Sequence, residues 1–280
     1  MIKNIDGLFF RLKSDFDFTW LNKYGKVFRV FDDQDSGNIC FGVGNAPNRY
    51  FIKFAGAETA EYSGTTGDAI ERLNATVPVY EALRHKNLVN MISAGEIGGG
   101  FAVVFEWTDA VCMGRQYLNS FLKFKSLPVN IRLKVFADIL DFHLYVARLG
   151  YVAIDFYDGG IMYDFDKQRT TICDIDFYTR APYVNPIGRM WGSSRFMSPE
   201  EFELGARIDE VTNVFTMGAT AFELLGSNLE RIPEKWNASI ALFNIATKAT
   251  DPERELRYQT INDFSNEWKA ASKITGGNVK

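Results

Sequence analysis

Four aspartates in two neighbouring apolar runs are the residues of this sequence best suited to chemistry. Asp155 and Asp158 break one apolar run and are followed by two consecutive glycines, and Asp174 and Asp176 stand in the next β-rich run. A buried strand gains nothing from acids and glycines, because both weaken its pairing and packing. Carboxylates that meet at one site accept protons and bind hard cations such as Mg²⁺. The two runs therefore predict a single acidic site.

The first part of the chain, before these aspartates, is rich in predicted strands. Three apolar runs separated by two polar turns predict a three-stranded meander, at 26–31, 39–43 and 49–54. Residues 77–85 predict a short helix with Pro78 in its first turn. Residues 88–107 predict two further strands around a glycine turn.

The second part of the chain is mainly helical. After Pro128, apolar residues recur at alternating four- and three-residue steps, which predicts a helix with one buried face. Residues 161–177 predict a strand pair across a polar turn. Residues 209–226 are apolar on nearly every face and predict a central helix, and 261–273 predict a last one.

Length and composition suit a globular protein of one large domain or two lobes. The chain has 280 residues, of which 46% are hydrophobic and 24% charged. Its composition changes near Trp107 from β-rich to α-rich. We therefore predict an α+β protein with an N-terminal extension and a β-rich lobe in 1–106, and a helical lobe in 107–280.

Charge and cysteine usage argue against several function classes. A net charge of −4 indicates neither nucleic acid nor an anionic membrane as a partner, and no run approaches about 18 apolar residues. The three cysteines, Cys40, Cys112 and Cys173, are odd in number and far apart, which predicts buried thiols in a reducing compartment. Only two histidines are present, which disfavours a zinc or histidine-based hydrolase site. We expect a cytoplasmic protein.

The order of several motifs resembles that of the protein kinase family. Residues 192–201, GSSRFMSPEE, follow the kinase pattern G-T-x-x-Y-M-A-P-E position for position. Ser193 takes the place of the threonine, and Glu200 that of the final glutamate. The resemblance covers roughly residues 26–270 and implies a two-lobed fold with a small β-rich lobe and a larger helical lobe. It also implies that Ser193 and Glu200 belong to a platform for a substrate peptide.

The resemblance assigns roles to the acidic residues. Against H-R-D-x-x-x-x-N, Asp155 takes the place of the catalytic aspartate, which accepts the proton of the substrate hydroxyl or orients its oxygen. The other interpretation of Asp155 is a turn aspartate that caps local amides. Gly160 stands where an asparagine would hold a second metal ion, and Asp158 is the nearby group suited to that duty.

The D-F-G counterpart can be placed in two registers. Asp174 and Asp176 lie on one face of an alternating strand. Family spacing and the following Phe177 favour Asp176, which would chelate Mg²⁺, or Mn²⁺, at the nucleotide phosphates. Asp174 is then expected to be a solvated residue or a support for the metal ligand.

The resemblance also places a nucleotide site in the β-rich lobe. Lys53 takes the place of the lysine that binds the α- and β-phosphates of ATP, and Gly37 belongs to the phosphate-covering loop. Asp32, Asp33 and Asp35 in that loop would repel phosphates, which predicts weak nucleotide binding.

The remaining positions of the family pattern are the helix glutamate, which is replaced, and the adenine-binding stretch, which would act through backbone groups. Thr76 stands where the helix glutamate that pairs with the lysine would be, and Glu71 substitutes for it if the helix is shifted. With Phe105 as gatekeeper, the Glu106 carbonyl and the Thr108 amide would bind the adenine edge.

Two supporting positions lie outside the acidic site. Asn213 takes the place of the aspartate that braces the catalytic loop, and Arg257 is positioned to pair with Glu200. Such a buried pair would be mainly architectural.

We expect an ATP- and Mg²⁺-dependent phosphotransferase of the protein kinase type that acts on Ser or Thr hydroxyls of protein substrates. Two alternatives stay open. One is a pseudokinase that binds partners or nucleotide without turnover. The other is a small-molecule kinase resembling the aminoglycoside phosphotransferases, against which the 192–201 segment argues. The retention of Lys53, Asp155 and Asp176 together favours catalysis.

Overall fold

The structure is a computed structural model that describes residues 1–226 and 231–276, with the side chains of 1–226 and 231–273. The chain forms two compact units. The first consists of Met1–Arg84 and Val89–Asp109, and the second of His85–Leu88 and Ala110–Lys280. Antiparallel sheets and six α-helices in the described part of the chain confirm the predicted α+β class.

The first unit is a five-stranded antiparallel sheet with a hairpin and one helix. Its elements are β1 (Ile2–Ile5), β2 (Leu8–Arg11), β3 (Val27–Phe31), β4 (Asn38–Asn45), β5 (Asn48–Ala55), α1 (Thr66–Ala82), β6 (Met91–Ile97) and β7 (Gly100–Glu106). The sheet order is β3-β4-β5-β7-β6. The predicted meander, β3 to β5, and the predicted strand pair, β6 and β7, are confirmed.

A hairpin that the sequence analysis did not predict precedes this sheet. Strands β1 and β2 pair through a turn at Asp6 and Gly7, whose φ angles of 53° and 89° both lie in the left-handed region. Asp-Gly is a favoured pair for such a turn. Phe10 and Leu12 then enter the hydrophobic core on one face of the sheet, where they meet the fully buried Phe41.

Helix α1 is longer than predicted, and Pro78 lies in its interior rather than in its first turn. The helix begins after Thr65, whose side chain accepts a hydrogen bond from the Asp68 N–H, while Asp68 returns one to the Thr65 N–H. Leu73 and Tyr80 lie on its buried face on either side of the proline. Their packing offsets the hydrogen bond that Pro78 removes.

The second unit is mainly helical with short strand pairs. Its elements are β8 (Val111–Cys112), α2 (Leu118–Lys125), α3 (Val129–Arg148), β9 (Tyr151–Val152), β10 (Ile161–Asp164), β11 (Arg169–Ile172), β12 (Thr179–Arg180), β13 (Tyr183–Val184), β14 (Arg207–Ile208), α4 (Glu210–Leu225), α5 (Ile240–Ala249) and α6 (Ile261–Gly276). Strands β11, β10 and β8 form one small sheet, and β12 pairs with β9 and β13 with β14.

Helix α4 is the centre of the second unit. Every residue from Thr212 to Leu225 is buried, and Asp209 caps the helix through the Val211 N–H. The predicted central helix, the helix after Pro128 and the β10–β11 pair are confirmed.

The cysteines differ in part from expectation. All three are free thiols, but Cys112 and Cys173 are only half-buried, and Cys40 alone is buried. No helix among the described residues has the length and apolar character needed to span a membrane.

Candidate functional site

Asp155 lies on a loop that is fixed by the central helix. The side-chain amide of Asn213 accepts a hydrogen bond from the Ala153 N–H and donates one to the Ala153 carbonyl, both at 2.7 Å. Asp155 itself has a φ of 62°, in the left-handed region that residues with a Cβ seldom adopt. Such a conformation persists only where the surroundings enforce it, and it is common at functional sites. The bracing role predicted for Asn213 is confirmed.

The 192–201 segment meets the carboxylate of Asp155. A Cβ added at Gly192 would lie 3.5 Å from the Asp155 Oδ1 and 3.4 Å from the Met197 side chain. Gly192 has a φ of 131°, so both the backbone and the space favour glycine there. Ser193, predicted as part of the substrate platform, is the next residue, and its carbonyl accepts a hydrogen bond from the Phe196 N–H.

Glu200 anchors the end of this segment to the helical unit. Arg257 donates hydrogen bonds of 2.8 and 3.0 Å to the two Glu200 oxygens, which confirms the predicted pair. Arg254 and Thr212 donate to the same carboxylate. Although burial raises the pKa of Glu200, hydrogen bonds from Arg257 and the charges of both arginines outweigh it and leave the pKa below its usual value.

The neighbouring Glu201 is held in a different way. Its carboxylate accepts hydrogen bonds from the Ser198 N–H at 2.7 Å and from the Ser198 hydroxyl at 2.9 Å. Burial raises the pKa of Glu201 to about 7, and the charges of Glu200 and Asp155 add to the rise. Glu201 is therefore a buried acid with a raised pKa, within the segment that meets Asp155.

Asp158 is buried and bound by an arginine of the same segment. It lies in a short 3₁₀ turn, Asp158–Gly160, and is 1% exposed. Arg195 Nη2 donates to both of its oxygens, at 2.9 and 3.0 Å. Burial raises the pKa of Asp158, and the hydrogen bonds and charge of Arg195 counter that rise. Both carboxylate oxygens predicted for a metal ion thus contact a guanidinium.

The second acidic run follows strand β11. The Cys173 N–H donates to the Gly160 carbonyl at 2.9 Å, which ties this run to the Asp158 turn. Asp174 is exposed and has a φ of 58°, whereas Asp176 is half-buried. Within the described residues, no group of three or more His, Cys, Asp or Glu side chains is arranged to hold a metal ion.

The charges of Asp155 and Asp174 affect the same two tyrosines. Burial raises the pKa of Tyr157 and of Tyr178, and the negative charges of Asp155 and Asp174 raise both further. The carboxylates of Asp155 and Asp174 therefore act on the same two side chains. The sequence analysis favoured Asp176 over Asp174 as the metal ligand, because Phe177 follows Asp176.

A histidine that the sequence did not single out supports both acidic runs. His143 on α3 is fully buried, with Nδ1 2.9 Å from the Ile139 carbonyl and Nε2 2.9 Å from the Tyr178 hydroxyl. Burial lowers the pKa of His143 to about 4, so the ring is neutral, with Nδ1 as donor and Nε2 as acceptor. Its ring also packs 4.4 Å from that of Phe156, the residue after Asp155.

The four residues predicted to bind nucleotide all lie in the first unit. Lys53 is on β5, half-buried, on the face of the sheet opposite to the buried Ile52 and Phe54. It pairs in register with Cys40 on β4 and Val103 on β7. The predicted gatekeeper, by contrast, pairs with Phe51, two residues before Lys53.

Gly37 lies in the turn between β3 and β4 with a φ of 82°. A Cβ there would be 2.7 Å from the Tyr62 ring and 2.8 Å from the Ala69 Cβ, so this glycine also serves the packing of the turn against α1. Arg72 on that helix donates to the Ser36 carbonyl at 2.8 Å. Asp32 accepts hydrogen bonds from the Arg11 N–H and Nε, which offsets part of its charge.

The remaining predicted positions lie at the end of β7 and on α1. The Glu106 N–H donates to the Asn90 carbonyl at 2.9 Å, its side chain is exposed, and Thr108 is half-buried. Thr76 is on the buried face of α1 and donates to the Leu73 carbonyl, whereas Glu71 is exposed.

Comparisons with known proteins add no family to this description. No protein-family model matches the chain, and a search of the curated proteins gives no match.

Proposed function

We propose that this protein transfers the γ-phosphoryl group of ATP to Ser or Thr hydroxyls of a protein substrate. The observation that carries the proposal is the meeting of the Asp155 carboxylate with Gly192 at the start of the 192–201 segment. A carboxylate fixed on a braced loop, beside a segment of a separate element, is suited to accept a proton from a hydroxyl presented along that segment.

The acidic residues of the second unit fit a divalent cation that is held mainly by phosphates. Mg²⁺ prefers oxygen ligands, and in nucleotide sites it keeps several waters and takes only one or two carboxylates from the protein. Asp174 is exposed, and it acts with Asp155 on the same two phenols. When bound, Mg²⁺ or Mn²⁺ neutralises phosphate charge. We propose one metal-binding aspartate from the pair Asp174 and Asp176.

In the first unit, Lys53 is the proposed phosphate ligand and Gly37 the proposed glycine of the covering loop. Lys53 is half-buried on the sheet face opposite to Ile52 and Phe54, in register with the buried Cys40 and Val103. The backbone at Glu106 and Thr108 is proposed to bind the adenine edge. These assignments are based on the order of the motifs in the sequence, and mutagenesis can test them.

Incubation with ATP labelled at the γ-phosphate, in the presence of Mg²⁺ or Mn²⁺ and a generic protein acceptor, tests the proposal. Wild type is expected to transfer label to Ser or Thr, and Asp155→Asn to transfer at least about a hundredfold less, as expected for loss of a general base. Thr220→Ala, a buried change on α4, controls for general destabilisation. Equal labelling by wild type and Asp155→Asn would contradict the proposal.

A nucleotide-binding module without turnover is the second candidate, and one observation favours it. Both oxygens of Asp158 contact Arg195, and Gly160 stands at the place of the metal-binding asparagine in the family pattern. Calorimetric binding of ATP with no label transfer to any acceptor would favour this candidate over catalysis.

We also propose the cytoplasm as the compartment of this protein. The three cysteines are free thiols, which fits a reducing environment. Fractionation of cells that express the full chain checks this, and recovery with secreted proteins would contradict it.

A further inference from the structure

Three guanidinium groups converge beside the Asp155 loop, and we call Arg115, Arg195 and Arg231 the guanidinium patch. Arg115 Nε and Nη2 donate to the two oxygens of Glu223, at 3.0 and 2.7 Å. Arg195 Nη1 donates to Glu223 at 3.0 Å, and its Nη2 binds Asp158. Arg231 Nη2 donates to the Arg195 carbonyl at 3.0 Å.

The cations of this cluster are more exposed than the carboxylates that they bind. The side chains of Arg115 and Arg195 are 32% and 25% exposed, whereas those of Glu223 and Asp158 are 7% and 1% exposed. Arg231 is exposed and lies over the rings of Phe215 and Phe222. The surface presented to a ligand is therefore positive, even though two carboxylates sit within the cluster.

The patch retains hydrogen-bond donors. Neither Arg195 Nε nor Arg115 Nη1 has a hydrogen-bond partner in the described part of the chain. Arg231 has no carboxylate partner among those same residues. A guanidinium presents five N–H donors in a planar fork, so each of the three has directed donors left for an anion.

A half-buried lysine lies beside the guanidinium patch. Lys125 Nζ donates to the Glu223 carbonyl at 2.5 Å, at the carboxyl end of α4. Burial is the main cause that lowers the pKa of Lys125, to about 8; the charges of Glu223 and Asp158 oppose it, and those of Arg132 and Arg115 add to it. Lys125 therefore lies among the same charged side chains as the guanidinium patch.

Two short stretches of chain connect the guanidinium patch to the proposed acceptor site at Asp155. Arg195 belongs to the 192–201 segment, in which Gly192 meets the Asp155 carboxylate. Its partner Asp158 belongs to the loop that carries Asp155. An extended peptide rises about 3.3 Å per residue, so a hydroxyl at Asp155 and a side chain at the patch can belong to one segment a few residues long.

We infer that the guanidinium patch binds an anionic group of the acceptor protein, a carboxylate or a phosphate, a few residues from the hydroxyl that Asp155 serves. This inference rests on the proposed function, because it names the substrate class of the same site. The shared chemistry is an oxyanion that accepts paired N–H donors from arginine. The protein would therefore select acidic or already phosphorylated segments and reject basic ones.

Fluorescence anisotropy with labelled peptides tests this binding independently of catalysis. The peptides carry one serine in an alanine and glycine background, flanked by glutamate, phosphoserine, glutamine or lysine. We expect the glutamate and phosphoserine peptides to bind about tenfold more tightly than the glutamine peptide, in line with a charge-assisted pair. The preference should fall as salt is raised, because the arginines are partly exposed. Comparison of the two anionic peptides separates a carboxylate from a phosphate as the natural group.

Two variants and a matched control connect the preference to the patch. Arg231→Gln removes a guanidinium that holds no carboxylate among the described residues, and it should reduce the preference for glutamate about threefold or more. The double variant Asp158→Asn with Arg195→Met removes a buried pair together, so no carboxylate is left unpaired, and it should abolish most of the preference. Arg169→Gln, an exposed arginine on β11 outside the patch, should leave the preference unchanged.

The outcomes for the two proposals are distinct. Selective binding of anionic peptides without label transfer supports the patch and contradicts the phosphotransferase. Label transfer at equal rates to the glutamate, glutamine and lysine peptides supports the phosphotransferase and overturns the patch. Equal binding of all peptides, or a preference that survives the double variant, also overturns the patch.

Discussion

The side-chain amide of Asn213 satisfies both backbone polar groups of Ala153, two residues before Asp155. Because Ala153 is buried, removal of the amide leaves an N–H and a carbonyl without partners. One residue of the central helix therefore sets the backbone of the loop that carries the proposed catalytic carboxylate.

Asn213→Ala should lower the free energy of unfolding by about 3 kcal/mol, because each unsatisfied buried group costs about 1 to 3 kcal/mol. Urea unfolding measures this change. Label transfer at a temperature where the variant stays folded should fall more than in Thr220→Ala, whose hydroxyl bonds only the Thr216 carbonyl. Equal transfer by both variants would show that the bond to Ala153 is structural alone.

Activity should not depend on phosphorylation of the 179–194 segment. In most regulated kinases the arginine before the catalytic aspartate pairs with a phosphorylated residue of this segment. Under the proposed kinase resemblance Ile154 takes that place, and it is buried. Arg195 instead links the 192–201 segment to Asp158 and Glu223 without any phosphate.

Protein treated with phosphatase is therefore expected to keep its rate of label transfer, as checked by mass spectrometry of the segment. Ser193→Ala should impair the use of acceptor peptides without removing a switch. Loss of activity on dephosphorylation, regained on rephosphorylation of the segment, would contradict this expectation.

Weak ATP binding that improves with a divalent metal is expected from the acidic turn before β4. Asp32 is engaged by Arg11, so Asp33 and Asp35 carry the repulsion of the phosphates. Replacement of these two by Asn should tighten ATP binding about fivefold, since screened charges near a surface contribute about 1 kcal/mol together. Isothermal titration calorimetry measures it, with Glu96→Gln as a control outside the turn. Equal affinity with and without metal would contradict this account.

Stability should decline with rising pH through the titration of Glu201. Its carboxyl has a pKa of about 7 in the folded protein against 4.5 as a reference, so the folded state holds the proton more tightly. Between pH 4.5 and 7 the folded state binds more protons than the unfolded state, and stability therefore falls as pH rises through this window.

Glu201→Gln keeps an acceptor for the Ser198 N–H and removes the buried charge. It should raise the free energy of unfolding by about 3 kcal/mol at pH 8 and by less than about 1 kcal/mol at pH 5, given about 1.4 kcal/mol per pKa unit. Thermal unfolding at the two pH values checks this. A variant that is destabilised equally at both would show that the ionised carboxylate is well accommodated.

Much of this fold follows from hydrophobic periodicity, whereas the exceptions have local physical causes. The meander, the helix after Pro128 and the central helix were predictable because each buries a long and regular apolar pattern. The first hairpin was missed although Asp6-Gly7 is a strong turn signal, because only a short alternating stretch flanks it. The predicted start of α1 was wrong because Pro78 was assigned to the first turn, and the sequence does not show the packing on both sides of the proline.

Two supporting contacts near the candidate site were predictable from the sequence, whereas contacts between residues far apart in the chain were not. The Asn213 brace and the Arg257–Glu200 pair follow from motif order. The pairing of Asp158 with Arg195 and that of His143 with Tyr178 join residues far apart in the chain, and no spacing rule indicates them.

Asp174 and Asp176 are the two candidates for the proposed metal ligand, and substitution of each distinguishes them. Motif spacing favours Asp176, but three features of the structure favour Asp174. Asp174 is exposed, it has a left-handed φ of 58°, and it acts with Asp155 on Tyr157 and Tyr178. A metal ion bound near Asp155 would need a carboxylate in the same surroundings.

We expect Asp174→Asn to weaken Mn²⁺ binding in the presence of ATP at least about tenfold, since it removes a charged ligand from a hard cation. Asp176→Asn is the matched variant and should change Mn²⁺ affinity by less than about threefold. Electron paramagnetic resonance of free Mn²⁺ measures both, independently of transfer. Thermal unfolding of the two proteins controls for folding, because neither aspartate lies in a hydrophobic core. The reverse order of effects would assign the metal to Asp176, as the motif spacing predicts.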